Sequence, residues 1–155
     1  MTPPARTLNA PVITVVDPDE RTRVDAAGTG LFYAIHRETV AEAHAELKRR
    51  PVSAVLVSVA RCAHEAERRV ASVVREFPMV PTVALLGTTL PTPQALMQLG
   101  QAGVTRLVDV RAPSGWMRLR HLLTEAAAQE VERQTLAAVR AEVGEAPPDV
   151  WCFFE

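Results

Sequence analysis

Residues 52–58 read Val-Ser-Ala-Val-Leu-Val-Ser. The run is short, apolar and β-branched, and it closes on a polar residue, Ser58. A helical pattern over Glu38 to Arg50 precedes it and stops at the breaker Pro51. A run of this kind reads as a parallel strand buried on both faces. In an open α/β sheet, ligands and chemistry gather at the C-terminal ends of the strands. The residues at the end of this strand, Ser58 and Val59, therefore bound what the protein can do.

Outward from this strand the same unit repeats. Val12 to Val16 is an apolar strand that runs into Asp17-Pro18-Asp19-Glu20. Asp17 suits a helix N-cap and Pro18 the first helical position. That helix ends near Gly28, with Val24, Ala26 and Ala27 as its main apolar residues. Leu31 to His36 is the second strand. Glu38 to Arg50 carries Val40, Ala43, His44 and Leu47 on one stripe and a basic Lys48-Arg49-Arg50 end. After the central strand, Ala60 to Glu65 reads as a polar turn, and Glu65 to Phe77 as a helix with Ala66, Val70, Val73, Val74 and Phe77 inward. Thr82 to Leu86 is the fourth strand. Pro91 and Pro93 open a short helix with Leu96, Met97 and Leu99. Val104 to Val110 is the fifth strand. From Ser114 to about Val143 no breaker interrupts one helix of about 28 residues, roughly 42 Å long at 1.5 Å per residue.

Five strands, each followed by a helix, predict an α/β fold: a doubly wound five-stranded parallel sheet of order 2-1-3-4-5 with an extended C-terminal helix. Eight such units would be needed for a barrel. The expected organisation is a flexible arm at 1–11, a domain at 12–125, a helix extension at 126–143 and a tail at 144–155. The tail reads as the start of a following output domain.

Composition narrows the function. With 48% hydrophobic and 23% charged residues in 155, the chain is ordinary for a globular protein. A formal net charge of −1 gives no global attraction to nucleic acid or anionic membrane. The two cysteines, Cys62 and Cys152, form no disulfide framework, which fits a cytoplasmic setting. No apolar run approaches the ~20 residues of a membrane span. His36, His44, His64 and His121 have no ligand spacing, so neither a metal nor another cofactor is expected. His44 reads as a packed residue. Cys62 reads as a loop residue whose pKa Arg61 and His64 could lower.

Val-Val-Asp17, Ser-Ala-Val-Leu-Val-Ser58-Val, Pro-Thr-Val-Ala-Leu-Leu86-Gly87 and Gln-Ala-Gly103-Val-Thr-Arg-Leu-Val-Asp-Val110 together resemble the strands of a two-component receiver domain over residues 12 to 125. The resemblance implies a site made of an acidic pair, a phosphoacceptor aspartate, a hydroxyl residue and a lysine. This chain keeps Asp17 but has Pro18 in the second acid's place, with Asp19 and Glu20 following. Ser58 stands for the phosphoacceptor, Leu86 for the hydroxyl residue and Val110 for the lysine. One acid is a poor cage for Mg²⁺, and a serine without a base is a weak nucleophile. The resemblance therefore implies a pseudo-receiver with no enzymatic activity. Asp17 remains open between residual ligand and helix cap, and Ser58 between phosphosite and loop cap. Arg111 is placed to reach Asp17 or Asp19 in lieu of the missing cations, or to be solvated.

The last helix outruns the sheet. Leu122, Ala126, Val131, Leu136, Val139 and Val143 form an apolar series that a second copy of the helix would cover. The expected function is a regulatory, homodimeric module. It would form the N-terminal part of a transcription regulator whose DNA contacts lie in an output domain outside this chain. A stand-alone adaptor docking a partner through its fourth helix, fifth strand and long helix is the alternative.

Overall fold

Every residue of the central strand is buried, and burial of that strand sets the architecture. The structure is a computed structural model in which residues 10–87 and 91–142 are described. The arm to residue 9, loop residues 88–90, Val143 and the tail lie outside the described residues, as does the side chain of Val131.

The strands are β1 (Val12–Val15), β2 (Ala34–His36), β3 (Ala54–Ser58), β4 (Thr82–Leu86) and β5 (Arg106–Asp109). They form one parallel sheet of order β2-β1-β3-β4-β5, as expected. β3 pairs with β1 through Val55↔Ile13 and with β4 through Leu56↔Val83, so neither of its edges is free. The helices are α1 (Pro18–Gly28), α2 (Val40–Arg49), α3 (Val59–Cys62), α4 (Ala71–Glu76), α5 (Pro93–Gln101) and α6 (Pro113–Glu142).

Alternate strand residues serve two cores. Ile13, Val15, Val55 and Val57 meet α2, α4 and α5 through Ala43, Leu47, Val73 and Leu99. Val12, Leu56, Val83 and Leu85 meet α1 and the start of α6 through Val24, Leu119 and Leu123. Each such Leu or Ile contributes about 1.5–3 kcal/mol when fully buried.

Three local expectations change. The second strand, expected from Leu31, begins only at Ala34. The polar turn at 60–65 is helical. α3 starts at Val59, immediately after β3, and leads through a 3₁₀ turn (Ala63–Glu65) and a π turn (Ala66–Val70) into α4. No Gly or Pro stands between Val59 and Phe77 to break the run. In α1, Ala26 is exposed, and the buried face is Glu20, Val24 and Gly28 at steps of four. Arg120 of α6 donates from Nη1 to the carbonyls of Ala27 and Thr29 and so caps the C-terminal end of that helix.

The chain forms two compact units, the first ending at Thr124 and the second beginning at Glu125. In the second unit, Leu136 and Val139 are 56% and 48% exposed.

Gly115 lies in the first turn of α6, where a Cβ would come within 1.8 Å of the Asp109 carbonyl oxygen. Elsewhere in a helix, Gly→Ala gains about 1 kcal/mol. Here Gly115→Ala should instead lower stability by about 1–3 kcal/mol, because backbone must move. Urea unfolding checks the sign.

Candidate functional site at the C-terminal edge of the sheet

The ends of β1, β3, β4 and β5 bring Asp17, Ser58, Leu86 and Val110 to one edge because the strands are parallel and in register. The chemistry of this edge follows from what surrounds each.

Asp17 occupies the N-cap position of α1, but its side chain makes no capping hydrogen bond. Its Oδ1 lies 3.7 Å from Nη1 of Arg61. Pro18 opens the helix as expected. Asp19 is exposed, whereas the next acid, Glu20, is 2% exposed. The Glu20 carboxylate lies where residue 87 would carry a Cβ, so a side chain at 87 would have to displace it.

Ser58 is 2% exposed. α3 begins at the next residue and leaves no loop to open above it. Leu86 is half-buried, and the Val110 N–H donates to its carbonyl at 3.0 Å. Val110 itself is buried. Neither aliphatic side chain can neutralise or hydrogen-bond a phosphoryl group.

Arg111 does not reach Asp17 or Asp19. Its Nε and Nη2 bond the two carboxylate oxygens of Asp109 at 2.9 and 2.7 Å, and its backbone N–H adds a third bond at 3.0 Å. The local partner wins because it closes a bidentate pair two residues away, without ordering a longer segment. This pairing holds the Asp109 carboxyl down at about 2.

Arg61, which sequence reasoning did not single out for this site, takes the place intended for Arg111. Besides Asp17, its Nη2 bonds the Glu38 carboxylate at 2.9 Å and donates to the Glu38 carbonyl at 3.1 Å. Arg21 grips the other Glu38 oxygen at 2.7 Å. Arg21 first, then Arg61, keeps that carboxyl below its usual range. The available signal was the position of Arg61, one helical turn beyond the end of β3; reading 60–65 as a turn hid it.

Cys62 is not a loop thiol. It is buried, its S–H donates to the Val15 carbonyl at 3.4 Å, and burial pushes its pKa up to about 12. Such a thiol is inert. His44 is packed: its ring meets Phe77 edge-on at 5.9 Å, and its Nε2 lies 2.6 Å from Glu76. Among the described residues, no three His, Cys, Asp or Glu side chains could together hold a metal ion.

No family model matches the sequence, and no curated protein matches it. Solved structures do match, and they carry the receiver fold. A CheY-like protein, TadZ, from Pseudomonas aeruginosa PAO1 superposes with a TM-score of 0.62 at 17% identity, over 76% of this chain and 99% of that one. The N-terminal signal receiver domain of a two-component response regulator from Bacteroides fragilis gives 0.60 at 16% identity, over 78% and 98%. NtrX from Brucella abortus, crystallised in complex with ADP, gives 0.64 at 12% identity, over 87% of this chain but only 30% of that one. The fold of this chain is therefore that of receiver domains.

Two outcomes follow from the geometry. In Arg111→Ala, the Asp109 pKa should rise from about 2 toward 3.8, read by carboxyl NMR titration. Because the folded value is the lower one, the stability this pair contributes is present above pH 3.8 and lost as pH falls through about 2. An unmoved Asp109 would show that the pair does not persist in solution. In Cys152→Ser, the remaining Cys62 should react with a disulfide reagent at pH 8 only at the rate of unfolding, with rapid reaction in urea. Fast reaction of the folded protein would contradict the buried thiol.

Proposed function

We infer that the chain is a phosphorylation-independent regulatory and dimerisation domain, the N-terminal part of a DNA-binding transcription regulator. It has no catalytic role of its own and works in the cytoplasm. One observation carries this reading. At the edge where receiver domains hold their phosphorylation site, Ser58 is buried and Arg61 already faces Asp17. A guanidinium beside the acid supplies the charge compensation that Mg²⁺ would otherwise bring, and it competes with that ion for the same oxygens. Leu86 and Val110 complete an edge suited to holding one conformation without a phosphate.

The regulator reading also draws on similarity. The same fold makes up a minor part of the NtrX chain and an N-terminal domain in the Bacteroides fragilis regulator. Among the described residues, no helix is long and apolar enough to cross a membrane. Self-association is supported by Leu136 and Val139, one turn apart and exposed on the second half of α6. Apolar surface left in water forgoes roughly 25 cal/mol per Å² that a second helix would recover. The adaptor reading has its own support: Leu96 and Met97 of α5 and Leu107 of β5 are 39%, 61% and 46% exposed.

Adding Mg²⁺ with beryllofluoride should leave the amide resonances of Asp17 and Ser58 unmoved. A saturable shift at both residues would falsify phosphorylation independence. For assembly, sedimentation equilibrium at micromolar concentration should show a dimer for the full chain and a monomer for Leu136→Glu/Val139→Glu, with the circular dichroism of the sheet unchanged. A monomeric full chain, or a variant that still dimerises, sinks the role given to α6.

A further inference from the structure

The opposite edge of the sheet holds a different arrangement. Ala10, Pro11, Tyr33, Arg49, Arg50 and Pro51 line a pocket of about 450 Å³. All of them precede strands or end α2: residues 10–11 lead into β1, Tyr33 into β2, and 49–51 connect α2 to β3. The pocket is open to solvent, and its volume lies within the roughly 300–1,000 Å³ of small-molecule sites.

The walls are fixed by short bonds. The Ser53 hydroxyl donates to the Ala10 carbonyl at 2.7 Å, and the Ser53 N–H to the Pro11 carbonyl at 2.9 Å. The Val12 N–H donates to the Tyr33 carbonyl at 3.0 Å. Pro11 and Pro51 stiffen the two segments between. The Tyr33 side chain is nevertheless 62% exposed, an aromatic face offered to the solvent at the pocket.

The charge is organised from below by a buried carboxylate. Glu46 is 3% exposed and faces Arg37 at 2.7 Å, Arg50 at 3.0 Å and Arg49 at 3.4 Å. Three guanidinium groups thus share one carboxylate, a surplus of two positive charges. Arg37 takes the tightest contact. Arg50 reaches Glu46 through Nε, which leaves its terminal nitrogens for another acceptor. Arg49 is held loosely and is 68% exposed. Two pocket guanidiniums beside one buried acid offer charge-assisted donors to an oxyanion. A surplus of two charges matches a phosphate monoester dianion, and Tyr33 with the two prolines matches the flat face of a ring.

We propose that this pocket binds a nucleoside monophosphate, with Arg49 and Arg50 on the phosphate and the ring against Tyr33. The site is separate from the degenerate edge, so binding here would give the module an input that needs no phosphorylation.

The test is a ¹⁵N amide titration of the full chain with AMP, GMP, CMP and UMP in parallel, and with adenosine and inorganic phosphate as separate arms. At least one nucleotide should shift Tyr33, Arg49 and Arg50 saturably, and more tightly than adenosine or phosphate alone. Arg49→Gln rests on the most exposed and loosest of the three contacts and so spares the fold. It should weaken binding by about tenfold, the loss expected for one charge-assisted hydrogen bond. Tyr33→Ala should weaken the nucleotide but leave phosphate unchanged. No saturable shift from any of the four nucleotides overturns the proposal. So does a shift confined to other residues, or affinity that Arg49→Gln leaves intact. Phosphate binding as tightly as the nucleotides overturns the ring contact and with it the ligand class.

Discussion

Burial of β3 on both faces and along both edges is the constraint from which the rest follows. A strand in that position can present only apolar side chains over its length, and Ala54 to Val57 comply. Its neighbours β1 and β4 are buried as well, with Thr14 and Thr82 as their polar members, so helices must cover both sheet faces. Polar chemistry is then confined to the two rims where strands begin and end. The functional question for this chain reduces to how those rims are filled.

At the C-terminal rim the filling is complete. Glu20 lies over Gly87, Arg61 faces Asp17 and Glu38, and Arg111 is committed to Asp109. The charge pairs there are substantially exposed, so each adds little stability. Asp17, Glu38 and Asp109 each face a guanidinium group there. Ser58 is buried at the same rim.

The strands were legible in the sequence because burial on both faces writes a continuous apolar run. Val12 to Val15, Ala54 to Ser58 and Thr82 to Leu86 show this most clearly. The sheet order followed from the repeated unit. What stayed hidden depends on partners far apart in the chain. A glutamate in the first turn of α1 reads as solvated until Gly87 makes room for it. Arg61 reads as a loop residue until α3 is seen to begin at Val59 and turn it toward Asp17. Arg111 reads as reaching Asp17 or Asp19 or as solvated, although a closer partner, Asp109, stands two residues upstream. A local pair costs less ordering entropy and prevails when geometry allows it.

The N-terminal rim contrasts with the other in its charge balance. Glu46 is buried beneath three arginines, and a lone buried carboxylate would be costly without them. Neutralising it needs one guanidinium, and Arg37 at 2.7 Å is well placed to be that one. Arg49 and Arg50 add positive charge beside it at the end of α2, where basic residues also suit the helix dipole. At this rim the cations exceed the acid they face. Excess positive charge beside a buried counter-charge suits anion recognition. The rim with unspent binding capacity is thus the one opposite the receiver-like edge.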